Sequence, residues 1–179
     1  MSELRSASFW VGHIVVIFAT MLGVYLAATA GFKQALKLDL LQSDRGTYYV
    51  SESLHQELVF NNENMQFYLD GLKGKSNVFN EHIEGIKLNN FIFNAAQESD
   101  STFEIAPDLL SEVSQYYFTV GNALNTYYES EKESPRALVK VIKAETEKLA
   151  EQDTLARLSQ YNTKLATDLE QRGVPTVQH

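Results

Sequence analysis

The stretch from Phe9 to Phe32 reads FWVGHIVVIFATMLGVYLAATAGF and contains no Asp, Glu, Lys or Arg. A helix rises about 1.5 Å per residue, so a run of this length would cover the roughly 30 Å hydrocarbon core of a bilayer with tilt to spare. Trp10 near one end and Lys33 just past the other suit interfacial positions, where a side chain keeps one end wet. No later stretch is comparably long and uncharged. One membrane-spanning helix is the expectation.

A cleaved signal peptide is the rival reading, because Ala28-Thr29-Ala30 is an Ala-x-Ala triplet at a suitable place. Two features oppose it. The short arm 1–8 is barely positive, with Arg5 and the amino terminus facing Glu3. The apolar run also exceeds the roughly 7–15 residues of a signal core. An uncleaved anchor over 9–32, continuing as helix to about 45, is therefore expected. For orientation, the positive-inside count compares Arg5 with Lys33, Lys37 and Arg45 and slightly favours a cytoplasmic C-terminal domain. Composition points the other way: residues 33–179 lack cysteine and are rich in Asn, Gln, Ser and Tyr, a mix compatible with an extracytoplasmic compartment. The expectation follows composition and places the domain outside the cytoplasm, on a bacterial inner membrane.

Within the span, Ala19, Gly23, Ala27 and Gly31 recur every four residues. Positions i and i+4 share a helix face, so these four form a groove without large side chains. Lipid gives helices no gain from burying apolar surface against each other; close backbone approach drives association, and small residues permit it. Composition alone can produce such a ladder, yet the pattern reads as a packing face for a second copy or another membrane protein. His13 is the ionisable group of the span. It is a candidate polar contact to a partner, weighed against a neutral ring snorkelling to the headgroups beside Trp10.

The chain has 179 residues, enough for one further domain. Its 15 Lys+Arg against 23 Asp+Glu leave a formal charge of -8, which argues against a nucleic-acid binder. The absence of cysteine excludes disulfide scaffolds, thiol catalysis and Cys-based zinc sites.

Beyond the span the periodicity is helical, and Gly46 reads as a C-terminal cap that ends the first helix. A stripe of Val50, Leu54, Leu58, Met65, Tyr68 and Leu72 predicts a helix over 48–72. Phe79, Ile83, Ile86, Asn90 and Phe93 predict another over 77–97, followed by a polar linker, 97–106. Pro107 suits the first turn of a helix whose seam is Leu110, Val113, Tyr117, Val120, Leu124 and Tyr127. Ser134-Pro135 reads as N-cap and first helical residue of a stretch to Arg172, which Asp153-Thr154 would divide if it broke, and Gly173-Val174-Pro175 ends it. No sustained two-residue alternation predicts a strand. The expected fold is all-α: an N-terminal transmembrane helix, then an antiparallel bundle of about four helices over 47–172, then a tail, 173–179.

Catalytic signatures are missing. Glu52-x-x-His55 has the spacing of one half of a di-iron bundle site, but the second half is absent and His82 lacks a Glu three residues before it. Gly71–Ser76 (GLKGKS) has the wrong glycine spacing for a phosphate loop and no preceding strand. Neither an enzyme nor a cofactor is expected. Paired tyrosines at 48–49, 116–117 and 127–128 would each place one ring in the core and one beside it. Tyr116 and Tyr128 are thus candidates for an aromatic contact surface.

The function expected from these features is interaction, as an accessory or assembly subunit of a larger membrane complex. The alternative is a membrane-anchored sensor or ligand-binding module. In architecture alone, a span leading into a four-helix bundle is similar to the periplasmic ligand-binding modules of bacterial chemoreceptors. Such receptors return through a second membrane helix, so a sensor of the present form would act through a partner.

Overall fold

The apolar run opens a helix, α1, that extends from Ala7 to Leu72 in the computed structural model, which describes residues 7–72, 85–129 and 135–176. The chain divides into two compact units, Met1–Gln42 and Ser43–His179. In the first, α1 carries the apolar run, and none of its most apolar window is buried. Two hydroxyls on this part are answered within the helix. Thr20 donates to the Val16 carbonyl (2.8 Å) and Thr29 to the Tyr25 carbonyl (2.5 Å), which satisfies hydroxyls that hydrocarbon could not. Among the described residues α1 is the one helix long and apolar enough to cross a membrane.

The second unit contains residues 43–72 of α1, then α2 (Phe91–Gln97), a 3-10 turn (Asp100–Glu104), α3 (Pro107–Glu129), α4 (Pro135–Glu151) and α5 (Thr154–Gln171). The described residues contain no strand, so the all-α expectation holds as a helical bundle. α3 packs on α4 and α5, and α4 on α5. The shared core holds Leu54, Leu58 and Met65 of α1, Val113 and Val120 of α3, Leu138 and Ile142 of α4, and Leu158 of α5. Each such side chain contributes about 1.5–3 kcal/mol on burial. On α3 the buried positions are Leu109, Val113, Tyr116, Tyr117, Val120 and Leu124, so Leu109 replaces the expected Leu110 at the start of the seam.

Local chemistry explains most boundaries. Proline supplies the first residue of both α3 and α4, where its missing N–H costs nothing. α5 ends in a Schellman arrangement: Gly173 N–H bonds the Glu170 carbonyl and Val174 N–H the Leu169 carbonyl, both at 2.9 Å. Gly173 has φ +82, a conformation that the missing Cβ permits. Between α4 and α5 the division does occur, because Asp153 turns left-handed at φ 56.

Three expectations are corrected. α1 does not stop near residue 45: Gly46 lies inside the helix. Its role there is closeness, since a Cβ at this position would sit 2.6 Å from Ser101 Oγ of the 3-10 turn. The helix expected over 77–97 is reduced, within the described residues, to Phe91–Gln97, and 86–90 is irregular. The linker 97–106 contains the 3-10 turn. Phe79, Ile83 and His82, the Gly74 turn, the arm 1–6, the segment 130–134 with Ser134, and residues 177–179 lie outside the described residues.

Candidate functional site

The small-residue face of α1 comes first. Ala19, Gly23, Ala27 and Gly31 are all exposed along α1. A Cβ built on Gly23 or Gly31 meets nothing within 4 Å. Around the groove stand large exposed side chains such as Phe18, Tyr25 and Phe32. His13 uses Nδ1 within its own helix, 2.9 Å from the Phe9 carbonyl oxygen, with its ring against the Phe9 ring at 4.2 Å. The ring N–H donates that bond, which leaves Nε2 as the remaining polar atom.

In the bundle, Tyr116 and Tyr128 part company. Tyr116 is 1% exposed, inside the core, and so is no part of a surface. Burial, with the charge of Glu145 second, pushes its phenol well above the usual range, and its hydroxyl has no hydrogen-bond partner among the described residues. Tyr128 is half exposed, and its hydroxyl donates to the Ile86 carbonyl at 2.9 Å. It pins the irregular segment before α2. The expected division of each tyrosine pair fails at 116–117, where both rings are buried.

The polar heart of the bundle is a set of residues that periodicity does not flag. Glu57 of α1 is 5% exposed. Its carboxylate accepts the backbone N–H groups of Ile92 (2.7 Å) and Phe93 (2.9 Å) and the hydroxyl of Tyr117 (2.9 Å). Asn90, the N-cap of α2, makes no side-chain cap bond. The first turn of α2 is thus capped from another helix, by a carboxylate at its positive end. Burial, then the charge and hydrogen bond of Glu57, push the Tyr117 phenol upward. Asn61, one turn along α1, bonds the backbone of Asn89 in both directions, accepting from its N–H (2.9 Å) and donating to its carbonyl (2.6 Å). Such paired use of an amide holds an irregular strand of backbone as a ladder partner would.

A second tie joins α1 to α5. Ser51 donates to Asn162 Oδ1 at 2.6 Å, and Asn162 Nδ2 donates to Glu52 at 2.9 Å. Glu52 and His55 line an open polar cleft of about 450 Å³ together with Tyr48 and Glu170. The described residues contain no group of three or more His, Cys, Asp or Glu placed to hold a metal. On the α3 side, Arg157 of α5 bonds Glu112 through both carboxylate oxygens (2.7 and 3.0 Å) and reaches Asp108, while Thr154 donates to Glu112 at 2.7 Å. These bonds lock the N-terminus of α5 to α3.

Between α2 and α3 lies another cleft, of about 490 Å³. The rings of Phe93 and Tyr117 stack in its wall, with centroids 4.3 Å apart and planes 4° from parallel. The Glu57 cap sets this geometry, because it holds both residues at once.

The fold and these surfaces define a class: an all-helical chain with one candidate membrane span and a helical bundle knit by buried polar bonds. No family model, no curated protein and no solved structure matches the chain.

Proposed function

We propose that the chain is a single-pass membrane protein that packs its span and its bundle against partners in a larger membrane complex, as an accessory or assembly subunit. The carrying observation is the apolar part of α1, fully unburied, with a four-step groove of Ala19, Gly23, Ala27 and Gly31. A groove of this kind lets a second helix, from another subunit or a second copy, approach backbone to backbone. We place the protein in a bacterial inner membrane with the bundle outside the cytoplasm, and assign it no catalysis. The test replaces Gly23 and Ala27 together with Leu, followed by gentle extraction of the tagged full-length protein. The expected result is loss of a membrane partner, or of the homo-oligomer, that the parent retains. Unchanged recovery of every partner refutes the packing role. Because the chain has no native cysteine, Gln160→Cys reports orientation: a membrane-impermeant maleimide should label it in intact spheroplasts. A second reading, a ligand-binding sensor acting through a partner, draws support from the clefts of the bundle.

A further inference from the structure

Over the Phe93–Tyr117 stack, the cleft between α2 and α3 is rimmed by exposed side chains with no work left to do inside the bundle. Side-chain amides surround it, Asn90, Asn94 and Gln97 on one side and Gln115 on the other. All four are exposed, and among the described residues none of these side chains has a hydrogen-bond partner. Among the described residues none that lines the cleft is charged, in a chain where 21% of residues are. Phe118 stands in the lining at 71% exposure. An adjoining cleft of about 180 Å³ shares Phe93, Gln97 and Ser114 with the first and is flanked by Phe103, 80% exposed. Rings so exposed add little to the core.

Ligand chemistry follows from this lining. A carboxamide offers two N–H donors and a carbonyl acceptor without net charge. A charged ligand would find no counter-charge among the described lining residues, and a wholly apolar one would strand the amides without partners. The matching groups are hydroxyls, which both donate and accept. Aromatic faces are electron-rich, so they attract the positively polarised C–H face of a sugar ring. The larger cleft is within the range of about 300–1,000 Å³ found for small-molecule sites, and its neighbour extends it past a single ring. We infer that this double cleft binds a neutral oligosaccharide, with sugar faces on Phe118 and Phe103 and hydroxyls on the amides of Asn90, Asn94, Gln97 and Gln115. This binding operates whether or not the span packs against a partner.

The test uses the full-length chain in lipid nanodiscs, which avoids sugar-headed detergents. Maltotriose, cellotriose and triacetylchitotriose, each at about 10 mM to reach weak affinities, are followed by saturation-transfer NMR and calorimetry. At least one should bind, and Phe118→Ala or Gln115→Ala should each weaken it by about three- to tenfold. Phe67→Ala, equally exposed but off the cleft, should leave binding unchanged. Both cleft variants alter exposed side chains, and a parent-like thermal melt verifies their fold. The proposal is overturned if none of the three sugars shows transfer, or if binding ignores both cleft variants. Transfer from an uncharged capped peptide such as acetyl-Ala-Gln-Ala-Asn-Ala-amide, with none from the sugars, overturns it equally and makes the cleft a peptide site.

Discussion

Replacing Glu57 by Ala removes the carboxylate that caps the Ile92 and Phe93 N–H groups of α2. The carboxylate accepts three hydrogen bonds, at 2.7, 2.9 and 2.9 Å. Bonds to a charged group are each worth about 1.5–3 kcal/mol net, and each donor left unpaired costs about 1–3 kcal/mol. Relief of the buried charge, and water reaching the exposed side of α2, offset part of this. The net loss is about 3–5 kcal/mol, as for breaking a buried pair from one side. That is a large share of the roughly 5–15 kcal/mol that holds a domain, and it lowers Tm by about 10–20 °C in a unit of this size. Glu57→Gln grades the argument. Its carbonyl can keep Phe93 N–H and the Tyr117 hydroxyl, which share Oε1, but its NH₂ then faces Ile92 N–H, so about half the loss is expected. The lone tryptophan, Trp10, lies in the apolar run, which makes the near-UV dichroism of the tyrosines the suitable reporter of bundle melting. An alanine variant within about 0.5 kcal/mol of the parent, the scatter of neutral surface changes, would show that the cap contributes nothing and refute the reasoning.

Tyr116→Phe should raise stability by about 1 kcal/mol, because it deletes a buried hydroxyl that has no partner among the described residues; a denaturant titration showing a loss of similar size would mean the hydroxyl is satisfied. Burial raises the phenols of Tyr116 and Tyr117 in the folded state. Their protonated forms are then favoured by folding, so stability is fully present below the unfolded value of about pH 10 and lost as pH rises beyond it. Urea midpoints between pH 8 and 11 should fall only in the upper part of that range, less steeply in Tyr116→Phe; a flat profile contradicts the burial. At Gly46 a new Cβ collides with Ser101 Oγ, so Gly46→Leu should destabilise the bundle. Gly46→Ala combined with Ser101→Ala should stabilise it by about 0.5–1 kcal/mol through helix propensity alone, and thermal melts of the two variants separate clash from propensity.

Several features of the chain were legible without coordinates, and each rests on a signal contained in a few consecutive residues. The uncharged run 9–32 marks the candidate span through length and apolarity. Pro107 and Pro135 announce helix starts through a missing N–H, and Gly173 announces a helix end through a φ that it adopts freely. Leu54, Leu58, Val113, Val120, Leu138, Ile142 and Leu158 are core residues by a period that matches the helix. The cleft was not legible, though Phe93 and Tyr117 had been placed on apolar stripes. Their stacking depends on Glu57, which sequence distance separates from Phe93 by 36 positions and from Tyr117 by 60.

The sequence by itself determined what helices do with their own neighbours: the apolar run, the small-residue groove, the proline starts and the stripes. Tertiary structure alone decided which polar side chains go inside, because a buried polar group is tolerated only where distant partners meet it. Thus Glu57 and Asn61 lie in the core with the backbone of 89–93 as their partners. Gly46 continues a helix it was expected to end, since residues 43–47 of α1 take their bonds from the 3-10 turn: Ser43 and Thr47 both donate to Glu104, and Thr47 also to the Ser101 carbonyl. Tyr116 turns inward because α3 is enclosed by α4 and α5 on the side a heptad seam leaves open. In every case a contact across the bundle outweighs a local preference worth less than about 1 kcal/mol.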